Sequence, residues 1–224
     1  MRDWEKCYQA GETPWDHGSA APPLLEVIER HGVALWGGGP VLVPGCGLGH
    51  DVRVLAGLGL PVLGLDIAET AVALASGIPA VGGETYACGD FLDPAWRVGR
   101  EFSAVWEHTC FCAIDPALRQ AYAEATAGLL GAGQVLVGVF YLTPEMASDE
   151  PGPPFKVSIE ELEEIFGPWF ERIDGWVPER AYPSREGREW VGIFRRRSMG
   201  RFQGARRPMP LRFHGFGRNS FILR

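Results

Sequence analysis

Apolar runs alternate with segments of helical periodicity along most of the chain. The runs that predict strands lie at 41–43, 61–65, 85–88, 102–106 and 134–142. Amphipathic segments between them predict helices, among them 51–58, 67–76 and 116–130. This alternation predicts an α/β fold with a doubly wound, mostly parallel sheet. Two more strands, at 170–177 and 190–195, bring the predicted sheet to seven strands with an antiparallel edge strand.

The first predicted strand ends in a turn that contains three alternating glycines, Gly45, Gly47 and Gly49, and a helix follows. Glycine lets the backbone approach a ligand closely, and the start of the helix offers unpaired N–H groups. The second strand ends in Asp66, 21 residues after Gly45. A carboxylate at that position can accept hydrogen bonds from a ribose diol. Together these features predict a nucleotide-like ligand.

The spacing of the glycines favours one ligand over another. A dinucleotide fingerprint would need its third glycine at position 50, where this chain has His50. An NAD-linked oxidoreductase therefore fits poorly. The observed G-x-G-x-G pattern is the form associated with S-adenosylmethionine (SAM).

Further candidate ligand contacts follow the third and fourth strands. Asp90 and Phe91 come after the third strand, where an acid and an aromatic ring suit an adenine amino group and ring face; Asp90 could equally be a turn residue. His108 comes just past the fourth strand, at the edge of the sheet where ligands bind in open α/β folds. We interpret His108 either as a wall of the pocket or as a base.

The N-terminal segment is rich in aromatic residues. Trp4 and Tyr8 lie one helical turn apart, and Trp15 lies in a proline-containing turn. These rings either cap the core or form a lid, residues 1–20, over the glycine turn.

Length and composition predict one ordinary globular domain. The chain has 224 residues, of which 46% are hydrophobic and 22% charged. No apolar stretch approaches the ~20 residues of a membrane span, and the N-terminus lacks a signal-peptide pattern, so a cytoplasmic location without a membrane partner is the expectation. The five cysteines form no CxxC pair, which favours free thiols and no metal site.

Charge divides the chain into an acidic body and a basic tail. Nine of the 21 basic residues lie between Arg195 and Arg224, a region without acidic residues. The other 194 residues carry 12 basic and 28 acidic groups, which argues against nucleic acid as the main partner. We therefore divide the chain into a domain at 1–197 and a tail at 198–224.

These motifs together resemble those of class I SAM-dependent methyltransferases, and more narrowly the thiopurine S-methyltransferase family in its thiol and halide methyltransferase branch. The resemblance runs from about Trp4 to Arg195. It is carried by the segments WEKCY, TPWD, VLVPGCGLGHD, VLGLDI, GDF, FCAIDPALR and GPPFKVS. It implies a Rossmann-like fold and SAM as cofactor.

The resemblance also implies roles for individual residues. The implied cofactor contacts are Trp4, Tyr8, Gly45, Gly47, Asp66, Asp90, Phe91 and His108. Relatives usually have a tyrosine where this chain has His108, so that contact is retained in position only. Trp15 would close over the methyl group, and with His108 it forms the predicted catalytic pair.

The predicted reaction is methyl transfer to a small soft nucleophile by in-line displacement. A halide, thiocyanate, hydrosulfide or thiolate is already anionic and requires no general base, in agreement with the lack of an obvious base or proline-flanked polar clamp. The predicted aromatic pocket comprises Tyr8, Trp15, Phe111, Tyr141 and Phe155.

Alternatives remain open from the sequence. A thiopurine-like or metalloid-detoxifying methyltransferase shares the same motifs. A nucleic-acid methyltransferase would rest on the arginine-rich tail alone, and a non-catalytic SAM-binding protein would bind SAM without turnover.

Overall fold

The computed structural model describes residues 2–144 and 152–198. Residues 145–151, and all but Ser198 of the predicted basic tail, lie outside the described residues. The helices are α1 (Trp4–Ala10), α2 (Pro22–His31), α3 (His50–Gly57), α4 (Glu69–Ser76), α5 (Pro94–Arg97), α6 (Arg119–Leu129) and α7 (Ile159–Phe166). The strands are β1 (Val41–Pro44), β2 (Pro61–Asp66), β3 (Gly83–Cys88), β4 (Phe102–His108), β5 (Leu130–Tyr141), β6 (Phe170–Trp176) and β7 (Glu189–Arg196).

All seven strands belong to one sheet in the order β3-β2-β1-β4-β5-β7-β6. The first five strands run parallel, which places their carboxyl ends along one edge of the sheet. Strand β7 runs antiparallel to both of its neighbours, β5 and β6. The prediction of a doubly wound, mostly parallel sheet with antiparallel pairing at one edge is confirmed. The reversed strand is β7, next to the edge strand β6.

The central strands of the sheet, β1 and β4, are buried on both faces, as expected for parallel strands covered by helices. On one face Leu42 and Val105 belong to a core that also contains residues of α6 and α7. On the other face Val41 and Ala104 pack with residues of α2 and α3. Neighbouring residues of one strand therefore enter different cores, because side chains alternate across a strand.

Two boundaries differ from the prediction. The helix predicted at 116–130 begins as a 3₁₀ turn over Pro116–Leu118 and continues as α6. Strand β5 begins at Leu130, four residues before the predicted start, because Leu130 already pairs with Phe102 of β4.

The N-terminal segment is anchored to the body of the molecule. Glu5 of α1 accepts hydrogen bonds from the backbone N–H and the hydroxyl of Thr70, at 3.0 and 2.6 Å, at the start of α4. Asp66 lies just before this helix, so α1 is held beside the end of β2. A search of the described residues finds no helix with the length and apolar character needed to span a bilayer.

Candidate functional site

A cavity of about 650 Å³ opens at the carboxyl ends of the parallel strands. Because β1 and β4 are neighbours although β2 and β3 intervene in sequence, the cavity lies where the strand order reverses, the usual place for ligands in this architecture. Two groups of residues line it. The turn side follows β1, β2 and β3 and contains Gly45, Gly47, Asp66, Asp90 and Phe91. The histidine side follows β4 and β5 and contains His108, Tyr141, Tyr182 and Arg185.

The glycine turn leaves no room for side chains. Gly45 and Gly47 have φ angles of +62° and +51°, in the left-handed region that favours glycine. A Cβ atom on Gly45 would lie 2.9 Å from the Cβ atom of Cys110, and one on Gly47 would lie 2.8 Å from the hydroxyl of Tyr8. The glycines therefore keep the turn open to the cavity and let Tyr8 close over it.

Asp66 braces the glycine turn with its carboxylate. Oδ2 accepts a hydrogen bond from the backbone N–H of Gly47 at 2.8 Å, and Oδ1 accepts one from Ala68 at 2.9 Å. Burial raises the pKa of Asp66 above its ordinary value, while these hydrogen bonds oppose the rise. A carboxylate offers about four acceptor sites, so this one retains capacity for a ligand hydroxyl.

Asp90 and Phe91 both line the cavity beyond β3. Phe91 is buried and packs against the ring of Tyr122, with centroids 4.8 Å apart. Asp90 is exposed, and its Oδ1 accepts the backbone N–H of Leu92 at 2.8 Å. Asp90 thus forms the turn and also lines the cavity, so the two interpretations from the sequence are compatible.

The aromatic residues of the N-terminal segment form a cluster over the turn side. Trp15 contacts Trp4 and Tyr8 edge to face, with centroids 5.2 and 5.8 Å apart, and its Nε1 donates to the Tyr8 hydroxyl at 3.2 Å. All three residues line the cavity. A lid formed by residues 1–20 stays a prediction. The stacking of His17 on Tyr182, with centroids 4.0 Å apart, joins this segment to the histidine side.

His108 is tied to an acid that the sequence did not single out. Its Nδ1 lies 3.3 Å from Oδ2 of Asp51, in the first turn of α3. Both side chains are only 11% exposed. Asp51 also accepts hydrogen bonds from Trp106 Nε1 and from the backbone N–H of Ala21, both at 2.7 Å. The histidine side of the cavity therefore contains a fixed histidine–aspartate pair.

A buried cation completes the histidine side. Arg185 is 8% exposed and its guanidinium lies 4.9 Å from the ring centroid of Tyr141 and 5.5 Å from that of Tyr182. Its Nη1 donates to Oε1 of Glu189 at 3.1 Å. Glu189 pairs with Tyr141 in the β5–β7 register, which brings the loop before β7 to the edge where the cavity opens.

Two of the predicted pocket residues do not line the cavity. Phe111 is 1% exposed and packs in the core against Tyr122, Phe140 and Phe166. Phe155 is not among the lining residues either, although the two prolines before it are. The predicted aromatic pocket is therefore corrected to Tyr8, Trp15 and Tyr141.

A buried carboxyl group lies beneath the cavity. Glu107 is fully buried, and its carboxylate accepts the backbone N–H of Phe111 at 2.6 Å and the hydroxyl of Tyr122. Burial raises the pKa of Glu107 from about 4.5 to about 7, and the two hydrogen bonds limit that rise. Glu107 therefore gains a proton in the folded protein at a pH where it would be ionised in the unfolded chain.

This raised pKa predicts a pH-dependent stability. Between about pH 4.5 and 7 the folded protein binds a proton at Glu107 that the unfolded chain does not, so the contribution to stability is present at low pH and is lost as pH rises through 7. We expect the isosteric change Glu107→Gln to stabilise the protein relative to wild type by more at pH 8 than at pH 5, on the order of 3 kcal/mol more. Urea unfolding of both proteins at the two pH values measures this difference, and a pH-independent difference would contradict it.

Asp51, Tyr182 and Arg185 were missed by the sequence analysis. Asp51 was visible as the last residue of the motif VLVPGCGLGHD, where an acid in the first turn of a helix also has a simple structural interpretation. Tyr182 and Arg185 lie in a loop with several other arginines, and no local pattern distinguishes them.

The fold is shared with solved methyltransferase structures. The structure of 1,6-didemethyltoxoflavin-N1-methyltransferase from Burkholderia thailandensis, with its substrate and S-adenosylhomocysteine bound, superposes with a TM-score of 0.65 over 88% of this chain and 86% of that one, at 18% identity.

Sequence relatives narrow the assignment. The family model described as Thiopurine S-methyltransferase (TPMT) matches residues 1–175. "Thiocyanate methyltransferase 1" of Brassica oleracea is 33% identical over 200 residues, which cover 86% of this chain and 84% of that protein. "Probable thiol methyltransferase 2" of Arabidopsis thaliana is 34% identical over 200 residues, covering 87% and 85%.

A sheet of this order, a glycine turn and an acid after β2 define the class I SAM-dependent methyltransferases, and the chain is an enzyme of that class with SAM as its cofactor. The residues of the turn side fit this cofactor, because the turn is free of side chains and Asp66 keeps free acceptor capacity. Within the class, the chain belongs to the thiopurine S-methyltransferase family. The resemblance identified from the sequence motifs is confirmed.

Proposed function

We propose that this enzyme methylates a small soft nucleophile, a thiol or hydrosulfide or else a halide or thiocyanate. On the turn side, Asp66 would hold the ribose, Asp90 and Phe91 the adenine, and Gly45 and Gly47 the methionine part. SAM supplies a methyl group on a sulfonium, whose sulfur is a neutral leaving group. The chain's own task is then to bind the acceptor, remove its water and align it.

The observation that carries the proposal is the buried guanidinium of Arg185 between two aromatic rings on the histidine side. A guanidinium is weakly hydrated and stacks on aromatic faces, so it can meet a polarisable anion in a site that excludes water. Large soft anions are themselves weakly hydrated, so they lose less hydration free energy on burial than small hard anions do. The thiocyanate and thiol methyltransferases among the relatives support the same acceptor class.

A sealed-vial assay tests the proposal. Purified protein and SAM are offered iodide, thiocyanate, hydrosulfide or an aryl thiol, and methylated products are followed together with S-adenosylhomocysteine. Product from iodide, thiocyanate or hydrosulfide would support it. Turnover of the aryl thiol alone would favour a thiopurine-like enzyme. Bound SAM without S-adenosylhomocysteine in any vial would contradict methyl transfer to soft nucleophiles.

The role of Arg185 gives a sharper prediction. Arg185→Lys keeps the charge opposite Glu189 but loses the planar fork that stacks between the tyrosines. We expect the KM for thiocyanate to rise roughly tenfold, the loss of about one charge-assisted hydrogen bond. Arg180→Lys is the matched control, because Arg180 pairs with Glu29 on the surface, outside the cavity. An equal KM for thiocyanate in the two variants would mean that Arg185 does not take part in acceptor binding.

A further inference from the structure

Two hydrogen-bond donors and a ring nitrogen of His108 converge on the carboxylate of Asp51. Trp106 Nε1 and the backbone N–H of Ala21 approach at 2.7 Å, and Nδ1 of His108 approaches at 3.3 Å. An indole nitrogen and a backbone nitrogen can only donate, so Asp51 acts as an acceptor toward both. Burial disfavours its charge, but the hydrogen bond from His108, the positive charge of His108 when protonated, and the hydrogen bonds from Trp106 and Ala21 outweigh burial and hold the pKa of Asp51 below its ordinary value.

An ionised Asp51 determines the tautomer of His108. An ionised carboxylate can only accept a hydrogen bond, so Nδ1 carries the hydrogen and the neutral ring has its lone pair at Nε2. Within the described ranges Nε2 is buried and has no hydrogen-bond partner. A buried polar atom without a partner is destabilising, and at a cavity wall it indicates a ligand or a catalytic role.

The surroundings place the His108 ring among the residues that would line an acceptor site. His108 lines the cavity together with Tyr141, Tyr182 and Arg185, and its ring centroid lies 6.0 Å from that of Tyr182. The turn side, which fits the cofactor, lies on the other side of the β1–β4 boundary. The histidine–aspartate pair therefore faces the acceptor part of the cavity.

We propose that His108, oriented by Asp51, takes the proton of the acceptor, and that the preferred acceptor is a neutral thiol that still carries its S–H proton. This inference rests on the proposed function and narrows it. A halide or thiocyanate has no proton to give, so a site built for those anions alone has no use for a fixed base. Of the two interpretations that the sequence left open for His108, a wall of the pocket or a base, the pair with Asp51 favours the base.

The proton and electron balance of the step is complete without another reactant. The S–H bond of the acceptor breaks and its proton passes to Nε2 of His108. The acceptor sulfur forms a new bond to the methyl carbon, and the electron pair of the broken methyl–sulfonium bond stays on the departing sulfur. The resulting imidazolium is stabilised by the carboxylate of Asp51 until the proton leaves to solvent.

Several ionisable groups surround His108 and shape its pH dependence. Glu107 precedes it on β4, Asp51 approaches from α3, His17 approaches from the N-terminal segment, and Tyr182 and Arg185 come from the loop before β7. Burial raises the pKa of Tyr182 to about 12, so this group stays neutral in the range of interest. Burial raises the pKa of Glu107 to about 7, so a variant is compared with wild type at each pH to cancel the effect of Glu107.

The test compares an alkyl thiol, protonated at neutral pH, with iodide, which has no proton. For His108→Gln we expect the ratio of kcat/KM for the thiol to that for iodide to fall about 100-fold, the usual size of acid–base catalysis. The loss should shrink as pH rises, because free thiolate then forms in solution. His31→Gln is the matched control, since His31 also pairs with an aspartate, Asp174, at 3.1 Å but outside the cavity.

Two outcomes would overturn this inference without contradicting the proposed function. A parallel loss with both acceptors would mean that His108 has a structural role, and an unchanged ratio would mean that it only lines the cavity. A wild-type enzyme that methylates neither acceptor would instead contradict the proposed function, so the two failures are distinguishable.

A second measurement does not depend on turnover. Nitrogen NMR of the full chain, with His108→Gln used for assignment, reports which ring nitrogen carries the hydrogen. We expect a protonated Nδ1 and a bare Nε2 in the neutral ring, and a loss of this preference in Asp51→Asn. A ring protonated at Nε2 would overturn the inference even if Asp51→Asn does not fold.

Discussion

Replacing Asp66 by alanine is expected to weaken the binding of SAM and of S-adenosylhomocysteine by about 100- to 1000-fold, which corresponds to roughly 3–4 kcal/mol. The carboxylate has two functions that the change removes together. It braces the glycine turn through the N–H of Gly47, and its remaining acceptor sites are free for the ribose hydroxyls. Hydrogen bonds to a charged group are among the stronger polar interactions in proteins, which explains the size of the effect.

Calorimetric titration of both ligands measures this loss directly. Glu124→Gln is a suitable control, because Glu124 is an exposed carboxylate on α6 that does not line the cavity. We expect the control to bind SAM with wild-type affinity. An Asp66→Ala protein with affinity within threefold of wild type would mean that Asp66 only stabilises the turn.

The second large effect is on stability. Phe111→Ala is expected to lower the free energy of unfolding by about 3–5 kcal/mol, the usual cost of removing a buried phenylalanine ring. Its ring packs against Phe140, Phe166 and Tyr122 at centroid distances of 5.4 to 5.6 Å. Because Phe111 does not line the cavity, the folded variant should keep its affinity for SAM and its KM for the acceptor.

Urea unfolding of wild type, Phe111→Ala and Phe155→Ala tests this expectation. Phe155 is a useful comparison, because it was also predicted to line the pocket but is only partly buried. We expect Phe155→Ala to lower the free energy of unfolding by clearly less than Phe111→Ala does. A stable Phe111→Ala protein with a raised KM for the acceptor would mean that Phe111 lines the pocket, as the sequence predicted.

The position of Phe111 shows why the residues that line the pocket were harder to predict than the strands of the sheet. Thr109 has a φ of +65°, so the chain makes a sharp turn immediately after β4. Cys110 then faces Gly45, while Phe111 enters the core and its N–H reaches Glu107. A left-handed threonine has no reliable local signal, so the direction of the next side chains could not be derived from spacing.

On the histidine side too, single residues could be identified from the sequence, but their contacts could not. His108 was identified because it ends a strong strand, but its partner Asp51 lies in the helix α3, and only the pairing of β1 with β4 brings them together. Arg185 reaches the cavity because β7 returns antiparallel along β5, with Glu189 opposite Tyr141. Neither contact is local in sequence.

The amino-acid sequence by itself determined the strand–helix alternation, the glycine turn, the acid after β2 and the family of this methyltransferase. Those features depend on local backbone preferences and on hydrophobic periodicity, which a short segment carries in full. The tertiary structure decided which rings face the cavity, that His108 is paired with Asp51 and that Arg185 lies between two tyrosines. Those contacts join segments far apart in the chain, and their geometry follows from strand order and register, which no single segment specifies.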